Sequence, residues 1–344
     1  MENTRCDVVI VGGGAAGLSA ATTLARALRS VVVIDSGAPR NAPAAGVHGF
    51  LSRDGISPGE LLAAGRKEVL SYGGTLVDGE AVSARRTPDG FDVMTGDGRR
   101  ISGRRLLVTT GLTDELPPIE GLREQWGKGV VHCPYCHGWE IRGQRIGVLG
   151  TGPLSVHQAL LFRQWSPELT LFLNDTVEPT DEEWEKLAGR SITVVDGAVA
   201  SIDAADGILR GVTLGSGHSF DVQALAVASR LEARSHLLES LGLVPQPHPS
   251  GVGRFVEADP MGGATALPGV YVAGNVSNPM AQVVTAAADG VMSGARINAD
   301  LIDEETRWAV EGRFGPFSAA SEDAAFQAVR RQQRYGLEVP VPDR

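Results

Sequence analysis

The stretch that most limits the fold of this chain is residues 7–35, DVVIVGGGAAGLSAATTLARALRSVVVID. Val8 to Val11 form an apolar run with no polar alternation, which fits a strand buried on both faces of a parallel sheet. Glycines follow at Gly12, Gly14 and Gly17. In such a turn the first glycine permits the bend, the second lets a pyrophosphate approach the backbone, and the third lets helix pack on strand. Residues 15–28, rich in Leu and small side chains, predict a helix whose N-terminus faces the phosphates. A second apolar strand, 31–34, ends at Asp35, about 20 residues after the glycines, where a carboxylate binds ribose hydroxyls. The unit reads as a dinucleotide site, without choosing between FAD and NAD.

With 344 residues, 42% of them hydrophobic, the chain is long enough for two domains with separate cores. A net charge of −10 repels phosphate backbones, so no nucleic-acid partner is expected. The start lacks a basic n-region, so no signal peptide is expected. No stretch approaches the ~20 apolar residues of a membrane span. A cytoplasmic protein with no membrane partner is the expectation.

Three cysteines, Cys6, Cys133 and Cys136, cannot build a disulfide framework. A single CxxC lacks two of the four ligands of a zinc site, and no second CxxC or HxxxH is present, so no metal is expected. Cys6 opens a predicted strand and reads as an inert buried thiol. By elimination, Cys133 and Cys136 in VVHCPYCHGWE (131–141) are a redox pair. Pro134 stiffens the turn between them. His137 follows directly; its ordinary pKa near neutrality suits it to take a thiol proton and return it, and as an imidazolium it favours a Cys136 thiolate. His132 reads as structural. Tyr135 either stacks on a flat substrate or fills space, and Trp126 and Trp139 are expected to pack the central region.

Further on, LVTTG (107–111) ends a strand. GVLGTGPLS (147–155) forms a second glycine turn, with Pro153 expected at a helix start. VYVAG (270–274) precedes Asn275 and an Ala-rich helix. The order GGGAAG, TTG, CxxC, second glycine turn, AGN resembles the low-molecular-weight thioredoxin reductase family over residues 5 to about 300. The resemblance implies an α/β fold of two Rossmann-like domains, an FAD domain split as 1–115 and 248–304 around a central CxxC-bearing domain, 116–247. Residues 305–344 are left as a C-terminal extension. Homodimers are usual in that family. It also implies FAD contacts from Gly12, Gly14, Ala15, Ala16, Gly17, Asp35, Ser36, Arg40, Asn41, His48, Val82, Thr110, Gly111, Gly274, Asn275, Gln282 and Val283. Asn275 stands where the family has Asp, and keeps hydrogen-bonding reach without charge.

Other departures matter more. The family's Asp after the second cysteine is His137. Its paired arginines near Asn174 and Asp175 are missing, and Asp175, Glu178, Asp181, Glu182 and Glu183 stand there instead. A 2′-phosphate needs an arginine fork, so NADPH is disfavoured while Asp175 leaves NADH open. The motif CPYCHG, the loop 39–55 and AGN resemble the FAD-dependent dithiol oxidases of gliotoxin, holomycin and romidepsin biosynthesis. By that resemblance Cys133 meets a small-molecule dithiol, Cys136 faces the flavin, and dioxygen takes the electrons. Two rivals remain: a reductase of protein disulfides fed by NAD(P)H or ferredoxin, and a flavin-bearing redox sensor. In the tail, 320–336 predicts a helix capped by Ser321 and stopped by Gly336.

Overall fold

The computed structural model describes residues 3–313 and Glu322. Residues up to Ile297 form one compact unit, and Asn298 onward a second. The predicted helix over 320–336 lies outside the described residues, apart from Glu322.

The chain opens with the expected βαβ unit. β1 (Asn3–Val11) enters α1 (Ala15–Arg26), which returns into β2 (Val31–Asp35). β1 pairs in parallel with β2, Val8 opposite Val31 and Val11 opposite Ile34. Val8, Val9 and Ile10 are wholly buried, which explains the run without polar alternation. After α2 (Pro58–Ser71) come β3 (Thr75–Asp78), β4 (Ala81–Thr87), β5 (Gly90–Thr95) and β6 (Arg100–Val108). The first sheet runs β3-β2-β1-β6-β5-β4. α2 starts at a capping box in which Ser57 Oγ accepts from the Glu60 amide.

β7 (Leu112–Glu115) then leaves that sheet. α3 (Leu122–Gln125), β8 (Val130–Val131) and the single turn α4 (Pro134–His137) follow. A second βαβ unit is β9 (Ile146–Leu149), α5 (Ser155–Phe162) and β10 (Leu169–Phe172), continued by α6 (Asp181–Gly189) and β11 (Thr193–Val195). An antiparallel meander, β12 (Val199–Ala205), β13 (Ile208–Leu214) and β14 (Ser219–Asp221), leads to β15 (Ala224–Val227). The second parallel sheet is β11-β10-β9-β15-β8. Its buried Val148, Leu171 and Ala226 share one core with Phe162 of α5.

β16 (Arg230–Ala233) brings the chain back, pairing antiparallel with β7. α7 (His236–Glu239), β17 (Gln246–Pro247) and β18 (Gly253–Phe255) follow, and β19 (Val270–Val272) adds to β6 of the first sheet. The chain thus closes its first sheet with a strand more than 150 residues after β6. The long helix near the end of the described residues is α8 (Val283–Arg313). Its Gly290 lies against α1 so closely that a Cβ there would stand 2.0 Å from the Ala16 carbonyl oxygen.

Candidate active site

At the first glycine turn, Gly12 has φ +108, and a Cβ there would lie 2.4 Å from the Thr109 carbonyl oxygen. Only glycine tolerates both conditions. The Gly13 amide donates to Asp35 Oδ1 at 3.0 Å. Gly14 caps α1 and offers no side chain, so the first amides of the helix stay available to an anion. A Cβ on Gly14 would meet no protein atom within 4 Å: the space above it is open. Asp35 is held from its other side by Arg66, whose Nη1 is 3.5 Å from Oδ2 and whose Nη2 is 2.6 Å from Asp78.

A cavity of about 1070 Å³ runs from this turn to the cysteines. Gly12, Gly14, Ala15 and Ala16 line its start, with Asp35, Ser36, Arg40, Asn41 and His48 from β2 and the loop after it. Thr110 and Gly111 follow β6, and Gly274, Asn275, Gln282 and Val283 follow β19. Asn275 Nδ2 donates to the carbonyls of Asn278, Pro279 and Ala281. That leaves Oδ1 as the acceptor, and an Asp at this position has no hydrogen to give those three carbonyls.

Cys133 and Cys136 are joined as a disulfide, Cα to Cα 5.2 Å, and both line the cavity. Cys133 caps α4 in an extended conformation, and Pro134 takes the first helical position, where a missing N–H is no loss. His137 ends this turn and lines the same wall. Its Nδ1 is buried and has no hydrogen-bond partner.

Burial pushes the His137 pKa below its ordinary value; Glu140 opposes this shift and His48 reinforces it. The resting ring is therefore a neutral base at pH 7. A desolvated ring disfavours the charged form, so at rest the proton is costly to hold on His137. His48 sits between two carboxylates, Nδ1 3.4 Å from Asp54 and Nε2 3.6 Å from Glu140. His132 contacts the Val227 carbonyl through Nδ1 at 3.2 Å and lines the cavity. Its pKa is also lowered, first by burial and then by Arg40.

The second glycine turn is built differently. Ser155, in the third glycine position, accepts the Thr151 and Gly152 amides on its hydroxyl at 3.0 and 3.3 Å. Those amides would otherwise face a phosphate. Asn174, at the end of β10, donates to the Gly150 carbonyl and accepts from the Val199 amide. Pro153 lies two residues before α5 rather than inside it, because the chain first folds back to place that serine. Three of the five acids form the first turn of α6, where Glu183 completes a capping box with Thr180 and Glu182 pairs with Lys186 at 2.7 Å. Their place is explained by the helix dipole and cap.

Several sequence-derived roles shift in three dimensions. Val82 is exposed on β4 and does not line the cavity, whereas Ala81 does; a register irregularity between Ala81 and Ser83 turns Val82 outward. Gly17 does not line it either. A Cβ there would stand 1.9 Å from the Gly12 carbonyl oxygen, so its role is packing. Arg40 lines the cavity, but its Nε and Nη2 both bond Asp114 at 2.6 Å. Trp139 is exposed, with the Arg142 guanidinium 4.0 Å above its ring, instead of packing a core. Tyr135 is also exposed and meets Trp165 edge-on. Sequence reasoning misses Arg66, Asp114 and Glu140. Ion pairs between distant positions leave no periodic signal, although the CxxCHGWE spacing does place Glu140 near His137.

The described residues contain no helix long and apolar enough to cross a membrane. Residues 6–290 match the pyridine nucleotide-disulphide oxidoreductase family. A thioredoxin reductase of Claviceps purpurea, tcpT, is 32% identical over 315 residues, 86% of this chain and 94% of the relative. Thioredoxin reductase sirT of Leptosphaeria maculans is 29% identical, over 85% of this chain and 93% of its own length. Among solved structures, HlmI superposes with a TM-score of 0.83 at 44% identity, covering 89% of this chain and 95% of HlmI. An oxidoreductase from Agrobacterium tumefaciens gives 0.81 at 36%, covering 87% and 99%. The family uses FAD, and the residues here fit it: uncapped amides at α1 for a pyrophosphate, Asp35 for a ribose, and one cavity reaching the disulfide. The chain belongs to the pyridine nucleotide-disulphide oxidoreductase family and is an FAD-dependent, thioredoxin reductase-like disulfide oxidoreductase.

Proposed function

We propose that this enzyme is a dithiol oxidase: it closes an intramolecular disulfide in a small-molecule dithiol and passes the electrons to dioxygen, giving hydrogen peroxide. The observation that carries this reading is the buried, partnerless Nδ1 of His137 on the wall that also bears the disulfide. A buried polar atom without a partner calls for an explanation, and a proton arriving with substrate provides one. The second glycine turn adds support, because Ser155 already holds the amides that a nicotinamide nucleotide needs.

The site residues act as follows in this reading. Neutral His137 takes the proton of the first substrate thiol. The thiolate attacks Cys133 Sγ, the Cys133–Cys136 bond breaks, and Cys136 leaves as a thiolate. The second substrate thiol attacks the substrate sulfur held on Cys133, and its proton goes to the Cys133 sulfur it displaces. The product disulfide forms and Cys133 is released, so the cysteine pair now carries two electrons. A bound FAD would supply the two-electron relay between Cys136 and dioxygen. Overall one dithiol and one O2 give one disulfide and one H2O2. Gly14, Asp35 and Asn275 would hold the cofactor.

The domain limits 1–115 with 248–304, 116–247 and 305–344 belong to this reading, as do a homodimer and a cytoplasmic location. Exposed Met261, Met280 and Met292 are compatible with a covered surface. A second reading, a nicotinamide-fed reductase of protein disulfides, is favoured by the names of the Claviceps and Leptosphaeria relatives. An oxygen-electrode assay with a small dithiol and no nicotinamide separates the two. Stoichiometric oxygen loss and peroxide formation support the oxidase. No uptake, together with NADPH-dependent reduction of a protein disulfide, supports the reductase.

A further inference from the structure

Among the described residues, the chain passes between its two parallel sheets twice, outward through β7 and back through β16. These strands lie side by side, Leu112 opposite Ala233 and Asp114 opposite Leu231. Two adjacent crossing strands make a natural hinge, since a few backbone angles there rotate everything beyond them. The disulfide sits on the far side of that hinge, on α4, and the FAD cradle on the near side. The distance between them therefore depends on what holds the hinge.

One loop reaches across. Within nine residues the segment between β2 and α2 touches the crossing strand β7 once and the far side twice. Arg40 forms a two-pronged bond to Asp114 through Nε and Nη2, both at 2.6 Å. Asp114 Oδ1 also accepts from Ser229 Oγ at 2.6 Å, just before β16. The Asp114 side chain is only 9% exposed. Pro43 packs on Gly127, where an added Cβ would stand 2.8 Å from Pro43 Cβ. His48 Nε2 lies 3.6 Å from Glu140, three residues beyond His137. Asp114, Gly127 and Glu140 all lie on segments that bracket the CxxC turn.

We propose that residues 36–56 form a strap that fixes the redox disulfide against the FAD cavity, with Arg40, Asp114 and Ser229 as its buried anchor. Arg40 and Asp114 are positioning residues: they touch neither reacting sulfur. Electron exchange between Cys136 and a flavin depends on sub-ångström placement, and the anchor supplies it by tying β7 to the residue that enters β16. The bidentate fork fixes direction as well as distance, which a lysine does not. The buried carboxylate makes the anchor all-or-none, because breaking one partner strands the other's charge. The other charged group facing Asp114 is His132, which its burial keeps neutral. The strap serves any flavin–disulfide exchange, so it does not depend on the oxidase reading.

The test uses the full-length, FAD-loaded enzyme with Asp114→Asn and Arg40→Lys, reduced anaerobically by dithiothreitol in a stopped-flow instrument. Three quantities are read: flavin bound per protein, the rate of flavin bleaching, and the long-wavelength thiolate–flavin charge-transfer band. Both variants should keep their flavin, bleach roughly tenfold or more slowly, and lose most of that band. The half-saturating dithiothreitol concentration should change far less than the limiting rate. Wild-type bleaching with a full band in either variant overturns the proposal. So does loss of flavin with an unchanged rate per bound flavin, since the anchor would then serve the cofactor alone. If Asp114→Asn does not fold, Arg40→Lys decides by the same readings. Oxygen uptake with a small dithiol is scored separately, so a wild-type enzyme that fails that assay sinks the oxidase reading without touching the strap.

Discussion

The molecule contains two glycine turns on the same βαβ plan, and they differ in what takes up their backbone amides. At the first, Gly14 leaves the start of α1 uncapped, and the cavity opens over it. At the second, the Ser155 hydroxyl takes two of the turn's amides, and Asn174 ties the neighbouring strand end to Gly150. The strands, the crossover and the parallel register are the same in kind. At the second turn a side chain satisfies amides that a phosphate takes in other Rossmann-type units. Sheet and helix packing hold the fold, and the nucleotide depends on a few atoms at the turn.

The first way to sharpen this comparison concerns the cavity wall that only the first turn reaches. Cys136→Ser removes the sulfur that exchanges electrons there; dithiol-dependent bleaching of the flavin should fall to the background rate, measured by anaerobic absorbance. Next come matched alanine substitutions. Gly14→Ala meets no protein atom but intrudes where the pyrophosphate lies, so the protein should fold normally and lose most of its flavin. Gly152→Ala has the same empty surroundings and should leave flavin content unchanged. The ratio of flavin-band to protein-band absorbance reads both. Equal flavin loss in the two variants breaks the comparison.

A smaller effect is expected at Asn275. Replacing it with Asp turns three donated hydrogen bonds into contacts between a carboxylate and carbonyl oxygens. The cost should be about 1–3 kcal/mol, seen as a lower unfolding midpoint in denaturant. A gain in stability contradicts the geometry of Nδ2.

Acid should register at the first site too. His132 and His137 both have lowered pKa values, first of all through burial. Their unfolded forms bind protons more readily, so this stability is complete above the ordinary histidine pKa of about 6.5. It declines as pH falls through that value and on to the lowered folded values. His132→Phe should flatten this part of the Tm–pH curve. For turnover, the neutral His137 base implies an acid limb below the ordinary histidine range. His137→Ala should remove that limb and slow turnover about 10²-fold or more; an unchanged pH–rate profile takes His137 out of the chemistry. The smallest effect belongs to the second turn. Ser155→Gly frees two amides there, and NADPH should still fail to bleach the flavin, because the arginine fork is still missing.

Much of the fold and part of the site are legible in the amino-acid sequence. The apolar runs and spaced glycines mark the first βαβ unit, because buried parallel strands and tight turns restrict residue type strongly. Elimination isolates Cys133 and Cys136, since so few cysteines leave few options. The acids after β10 look, in one dimension, like a surface hostile to phosphate. Yet Thr180 and Glu183 form a capping box, and the helix takes three of those charges at its start. Ser155 reads only as a missing glycine, while its hydroxyl bonds depend on backbone direction. Arg40 and Asp114 stand 74 positions apart, and no local pattern joins them. Val82 is displaced by one register irregularity, which no composition signals.

The central claim is that the first turn and its disulfide work on dithiols without help from the second. The most direct test is an anaerobic titration of the purified FAD-loaded enzyme, following the flavin band with NADPH, NADH and a small dithiol in separate cuvettes, then admitting air. The account predicts that only the dithiol bleaches the flavin, and that air restores the colour with one peroxide formed per dithiol oxidised. Prompt bleaching by NADPH, with none by the dithiol, contradicts it.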